Sequence, residues 1–455
     1  MIMDLAVGLM LLTAVPHETY VLRTDTSVWD VAVEDLTGDG RAEILLVCCE
    51  AETRPFVKFV ALYPAGAGGE YASEAAVRLD LDPGISTLFF AEVDGAPPRE
   101  LVAADAEGAT VFRYEDGRFA VLATPRFRSL LPSGSKEPAF LKDIALDLDG
   151  DGVDEWIVPG PTGYDVRTPE ALLCRIECDV VSDIFTHGSV YITHRLPAYR
   201  TFDLEGEPKK GLAFLSDEVA DFAYGPDWSL HERFEVPVNV DEKWEASAKM
   251  EDLNGDAFPD LIVTQTKGTV KLKAVTHVYL AAAPFTYPDA PTAVFEADGA
   301  IASPALIDVD GNGTRDMVLV KIPFGIGNVL SFFLRRKVAI RVDVYLLNDD
   351  RFEPKPTYTE KVLLDAPEGR ERVAYTFGDF SGDGRIDVAY GVSSTKLVIH
   401  ASTPERLVSS RPWVTLAIPT FGVARPYDLN GNDAKDLVLF HPSGEHKTRV
   451  EVVVF

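Results

Sequence analysis

Residues Asp147–Glu155 read DLDGDGVDE, and the run WIVPG follows at once. Acidic side chains stand at the first, third, fifth and ninth places, with Gly150 and Gly152 between them. Glycines let a chain turn tightly enough for alternate side chains to point inward, and an apolar run behind such a turn reads as a β-strand. The stretch therefore describes a loop able to wrap a hard cation and then enter a sheet. A single copy would be a detail, but the loop recurs along the whole chain.

Variants begin at Asp35 (DLTGDGRAE), Glu92 (EVDGAPPRE), Asp203 (DLEGEPKKG), Asp252 (DLNGDAFPD), Asp308 (DVDGNGTRD), Asp379 (DFSGDGRID) and Asp428 (DLNGNDAKD). Counting Asp147 among them, successive starts lie 57, 55, 56, 49, 56, 71 and 49 residues apart. A period of this size marks a propeller or solenoid array. Within the first period SVWDVAVED precedes the loop, while EILLVCCE, PFVKFVALY and YASEAAVRLDL follow it. Such apolar runs, broken by Gly, Pro and Asp, read as four strands, the content of one propeller blade. A parallel β-helix would need a much shorter repeat.

The expected fold is thus all-β: a single propeller over residues 17–455, with eight four-stranded blades and seven as the fallback count. The loops at Glu92 and Asp203 are poor, but their strands are intact, so they read as blades that lost a cation site. After Asp428 only DLVLFH and KTRVEVVVF remain, which leaves the last blade one strand short. The segment TYVLRTD, Thr19 to Asp25, is expected to supply it. Sharing one blade between the termini closes the ring and hides strand edges.

Two segments fall outside the repeat. The apolar run Leu5 to Val15 is as long as a signal-peptide core and too short to span a bilayer. Asp4 stands where a basic region is expected, so residues 1–16 read as a degenerate export signal or a disordered start. The long interval holds PFGIGNVLSFFLRR at 323–336, in which Ile326, Val329, Leu330, Phe333 and Leu334 recur at helical spacing. A short amphipathic helix is expected, either packed over the channel mouth or meeting a partner or membrane surface beside Arg335, Arg336 and Lys337.

Composition narrows the function. With 43 basic and 72 acidic residues the formal charge is −29, so most of this surface repels a nucleic-acid backbone. Cys48, Cys49, Cys174 and Cys178 form no disulfide framework, since two cysteines four apart on an extended segment lie roughly 13 Å from each other. The eight histidines fall in different repeats without metal-ligand spacing, and no nucleophile elbow, phosphate-binding loop or zinc-protease helix is present. No catalytic residue is assigned. The alternative is a carbohydrate-active lyase or hydrolase with carboxylates around the central channel.

Calcium takes six to eight oxygens at about 2.3–2.6 Å and tolerates irregular geometry, whereas magnesium demands a stricter octahedron and more water. Ranked by ligand count, the best loops are Asp147/Asp149/Asp151/Glu155, Asp252/Asn254/Asp256/Asp260 and Asp308/Asp310/Asn312/Asp316. Asp379/Ser381/Asp383/Asp387 and Asp428/Asn430/Asn432/Asp436 come close behind. In the sixth loop, Asp35/Thr37/Asp39/Glu43, a hydroxyl stands in the third place. Up to six calcium ions are expected, chiefly structural, pinning the turn between the first two strands of a blade. The competing reading is an Asp/Asn-rich turn satisfied by its own backbone amides.

Repeated in this register, the pattern D-x-[DNS]-x-[DN]-x-x-x-[DE] before an apolar strand resembles the FG-GAP and VCBS repeats of integrin α-subunit propellers and secreted bacterial proteins. The likeness covers Thr19 to Phe455. It departs in the two degraded loops, in a count of eight where integrins have seven, and in having few Phe-Gly signatures beyond Phe377-Gly378 and Phe421-Gly422. The resemblance implies an extracytoplasmic, calcium-stabilised, non-catalytic scaffold for adhesion or for binding a protein or carbohydrate. It also implies calcium loops on one face and a partner on the other, the face of 323–336 and of the long loop from Phe127 to Pro138. Assembly in an envelope complex through the inserted segment is a further alternative.

Overall fold

The computed structural model describes residues 15–455 apart from 187–189, 205, 208, 217, 238–243, 269–272, 299, 302–303, 323–335 and 367–372. The expected helix at 323–336, save Arg336, and the expected leader at 1–16, save Val15 and Pro16, lie outside these residues. Among the described residues there is no α-helix.

Each recurring loop joins the first strand of a small antiparallel sheet to the second, and eight such sheets form an eight-bladed propeller. Blade 1 is built from Val28–Glu34, Glu43–Glu50, Val57–Tyr63 and Val77–Leu81. Blades 2 to 7 span 87–123, 145–177, 198–235, 245–298, 300–365 and 375–417. Blade 8 takes Val423–Tyr427, Asp436–Phe440 and Arg449–Val454 from the end of the chain. Its outer strand is Glu18–Arg23, antiparallel to Arg449–Val454 from Glu18↔Val454 to Arg23↔Arg449.

Packing explains why the strand after each loop is apolar throughout. Second strands such as Glu43–Glu50 and Asp436–Phe440 are buried on both faces, because each blade is sandwiched between two others. One core cluster joins Ile44, Leu46 and Cys48 of blade 1 to Leu22, Val438, Phe440, Val450 and Val452 of blade 8. Neighbouring first strands touch around the ring axis, as blade 7 does with blade 8 and blade 4 with blade 5. Arg425 of blade 8 reaches Asp30 of blade 1 at 2.5 Å and donates to the Val31 carbonyl at 2.7 Å. All four cysteines are free, and burial pushes the Cys48 and Cys178 thiols up to about 12, far from nucleophilic reactivity.

Two features depart from a plain array of four-stranded blades. Ala139–Phe140 runs parallel to Thr87–Leu88 and adds a fifth strand to the inner edge of blade 2, so the long loop before it folds back onto the ring. Between blades 3 and 4 stands a separate hairpin, Val181–Thr186 paired with Val190–Arg195, with no third strand among the described residues. It occupies the connection from the last strand of blade 3 to the first of blade 4. In an antiparallel meander that connection lies on the same face as the second-to-third turns, and therefore opposite the recurring loops. The chain leaves and re-enters blade 6 at 322 and 336 on that same face.

Candidate metal loops and the opposite face

The recurring loop is a built turn with a role for each place. At place one, a carboxylate accepts amides from the loop itself: Asp147 takes Gly150 at 2.6 Å and Gly152 at 3.2 Å, and Asp308 takes Gly311 at 2.8 Å and Gly313 at 2.9 Å. Asp35, Asp252, Asp379 and Asp428 bond in the same way. The fourth and sixth residues must sit at positive φ for these bonds to form. Gly150 (φ 75°) and Gly152 (φ 88°) do so freely. Ala257 (φ 70°) and Asp433 (φ 68°) hold the same conformation without being glycine, so those two turns carry local strain.

Place nine, a candidate ligand by its spacing, also anchors the loop to the core. Asp260, Asp316, Asp387 and Asp436 are completely buried, each bracketing two backbone amides. Asp316 takes Val309 and Leu347, both at 2.8 Å; Asp260 takes Leu253 and Ala281, also at 2.8 Å. Asp387 and Asp436 do the same with Phe380 and Ser402, and with Leu429 and Phe455. Glu43 and Glu155 reach the second-place amides of Leu36 and Leu148 at 2.7 and 2.9 Å. Burial pushes Glu43, Asp260 and Asp316 up to about 7 and Glu155 and Asp436 up to about 6, and the neighbouring loop carboxylates add to the shift. A cation in the loop would supply the positive charge these sites lack.

Places three and five carry the oxygens closest to free. At place five, Asp151, Asp256, Asn312, Asp383 and Asn432 each accept the amide two residues on, at 2.8 to 3.0 Å; Asp256 also accepts from the Asn254 side-chain amide and Asn312 from the Thr314 hydroxyl. Asp39 is instead engaged by the Arg41 guanidinium. At place three, Asp149 Oδ1 and Ser381 Oγ are shut off from solvent with no hydrogen-bond partner. Asn254 is turned to Asp256 and Asp350, at 3.0 and 2.9 Å, and Asn430 to the Phe455 carbonyl at 3.3 Å. One oxygen each from Asp147, Asp149 and Asp151 lies within 4.8 Å of the others, and the same holds for Asp308, Asp310 and Asp316. Two ligands across a calcium ion lie at most about 5 Å apart, so these hard-oxygen sets fit it.

Three features escaped the sequence reading. The second residue of every loop is apolar, and Leu36, Leu148, Leu253, Val309, Phe380 and Leu429 are buried anchors. That signal was present in all eight repeats. The eighth residue of one loop donates its amide to the preceding loop, as Lys210 does to Leu148 at 2.7 Å and Lys435 to Asp379 at 2.6 Å, stitching neighbouring loops together.

The third is Arg113. The loop at Glu92 brings Glu92, Asp94 and Glu100 together as closely as the intact loops do, and Arg113 from the third strand fills the gap. Its guanidinium meets Asp94 at 2.6 Å and Glu100 with Nε at 2.8 Å, so a fixed cation holds this turn. Glu100 is fully buried, and Arg113→Ala would strand its charge. Urea unfolding of that variant should show a loss of about 3 kcal/mol, most of it recovered by adding Glu100→Gln.

No protein-family model matches the chain, and no curated protein matches it. Solved structures match across most of its length, at low identity. The WD40 domain of SCAP from fission yeast is 8% identical, covering 96% of this chain and 94% of its own, with a TM-score of 0.42. BBS1N in complex with ARL6DN is 8% identical, covering 96% and 95%, with a TM-score of 0.38. An Agrocybe aegerita lectin recognising non-reducing terminal N-acetylglucosamine is 13% identical, covering 94% and 86%, with a TM-score of 0.38.

On the opposite face a cleft of about 1760 Å³ opens between blades 3 and 4 and the base of the hairpin, lined by Arg175, Glu177, Asp179, Glu218, His231 and Arg233 among others. Elsewhere His400 and His441 are buried. His400 stacks on Tyr390 at 5.6 Å and donates through Nδ1 to the Ser409 carbonyl at 2.8 Å. Burial holds its pKa below the usual imidazole value. The unfolded chain then takes the proton more readily, so this contribution is full above the unfolded value, about 6.5, and is lost as pH falls through the folded one. In urea titrations the stability advantage of the native protein over His400→Gln should shrink below pH 6.5, by at most about 1.4 kcal/mol per pH unit. A constant difference from pH 8 to 5 would refute it.

Proposed function

We propose that the protein is a non-catalytic binding scaffold of the FG-GAP/VCBS type, working outside the cytoplasm, with its ring stiffened by calcium on one face and a partner held on the other. The observation that supports the platform is the contrast between faces. The recurring loops spend their amides and buried carboxylates on one another, whereas the opposite face carries an open cleft and a hairpin bound to no third strand among the described residues. Calcium would be held first by Asp147, Asp149 and Asp151 and by Asp308, Asp310 and Asp316, with the loops at Asp252, Asp379, Asp428 and Asp35 following. It would supply positive charge to clustered carboxylates that otherwise repel one another. Lys209, 3.1 Å from Asp149, already does part of this in blade 3.

Chelation should lower the melting temperature and calcium, but not magnesium at equal concentration, should restore it. At a hundred times Kd each occupied site adds about 2.7 kcal/mol. An unchanged melt would end the calcium reading. The platform is tested by replacing residues 181–195 with a short Gly-Ser turn. The melt should stay within a few degrees, and proteins captured by the native chain in calcium should no longer be retained; unchanged capture would place the platform elsewhere.

A further inference from the structure

The hairpin between blades 3 and 4 is built unlike a solvent-facing element. An isolated two-stranded hairpin is marginal in water, and exposed strand edges are ordinarily blunted by charge, proline or a bulge. Here Ile184 and Ile192 are direct cross-strand partners, 66% and 55% exposed, and Val181 and Phe185 on the other side are 46% and 54% exposed. Among the described residues neither strand has a further strand neighbour, so both outer edges are open to main-chain pairing.

The cleft at its base has a defined charge. Every arginine lining it is already engaged by carboxylates: Arg175 by Asp165 at 2.7 Å, Arg195 by Asp183 at 3.5 Å, and Arg233 by Asp179 at 3.0 Å and Asp221 at 3.7 Å. Glu177, Glu218 and Glu232 line the same cleft, are exposed, and have no ion pair among the described residues. The charge left over is negative.

We infer that this site takes an extended polypeptide segment of a partner in which basic and apolar side chains alternate. Resting on the scaffold reading above, it names the partner's chemistry. The segment adds a strand to a free edge of the hairpin by main-chain hydrogen bonds. Its apolar side chains cover the Ile184–Ile192 pair, and its basic ones face Glu177, Glu218 and Glu232. Alternation is required because successive side chains of a strand point to opposite faces, and edge addition is a recurrent mode of peptide recognition.

The probe is a fluorescein-labelled octapeptide alternating lysine and valine, read by fluorescence anisotropy against the full chain. Affinity should fall at least tenfold when glutamate replaces lysine, when the valine amides are N-methylated, and in the variant Glu218→Lys/Glu232→Lys. It should stay within twofold in the charge-matched variant Glu115→Lys/Glu353→Lys, whose changes lie in third-to-fourth connections on the other face. Equal losses in the two double variants would reduce the effect to net charge and overturn the site. Equal affinity of the N-methylated peptide would overturn edge pairing, and no binding at millimolar peptide would overturn the inference outright. If partner capture is hairpin-dependent while the peptide fails, the scaffold reading stands and this partner chemistry does not.

Discussion

Deleting residues 1–24 should lower the melting temperature and shift the protein toward aggregated species, read by thermal denaturation and size-exclusion chromatography. The deletion removes Glu18–Arg23, and with it every main-chain bond along one side of Arg449–Val454. Leu22, with no exposed surface, leaves a core cluster shared with Val438, Phe440, Val450 and Val452. Loss of that side chain alone is worth about 2–5 kcal/mol, the range expected of Leu22→Ala, against a total stability of about 5–15 kcal/mol for a typical protein. The apolar strand VEVVV would also become an exposed edge, the arrangement that templates pairing with another copy. A truncated chain that eluted like the native protein and melted within a few degrees of it would show that the ring does not depend on this closure.

The second large effect is expected at Asp316. Both of its oxygens are spent on buried amides, those of Val309 in its own loop and Leu347 beyond the third strand of blade 6. Asp316→Ala leaves two buried donors without acceptors, at about 1–3 kcal/mol each, so a loss of about 4 kcal/mol is expected in urea unfolding. Asp316→Asn keeps one acceptor and should lose about half as much. The measurement belongs in chelator as well as in calcium. A loss that persists in chelator isolates the bracket from any contribution of the ion, whereas a loss seen only in calcium would make Asp316 a ligand first.

Much of the ring was legible because the loop marks one fixed joint, between the first and second strands, in every blade. Eight starts therefore counted eight sheets, including the two whose loops are poor. The shortage of one strand after Asp428 likewise pointed to the N-terminal segment that fills it. What could not be read was hidden by compensation. The hairpin Val181–Arg195 leaves the interval from Asp147 to Asp203 at an ordinary length, because the blade 3 strands within it, Glu155–Gly160, Gly163–Arg167 and Leu172–Glu177, are short and joined by tight turns. Arg113 is invisible as a loop residue, since it arrives from a different strand to meet Asp94 and Glu100. Asp260 and Asp316 show in one dimension only which residues share a loop. Spacing does not record that the ninth residue also accepts amides in the core.

The pairing of Glu18–Arg23 with Arg449–Val454 also sets a timetable for the molecule's birth. A ribosome adds about 5–20 residues per second, so Glu18–Arg23 must wait tens of seconds for a partner that starts only at Arg449. Until then the nascent chain carries an unclaimed strand at its front and a growing arc of blades with two raw flanks behind it. The ring can be completed only once Arg449–Val454 has been made, in one event of very long sequence separation, the kind of contact that slows folding. Until closure an almost finished propeller exposes two strand edges, the arrangement that invites pairing with another copy.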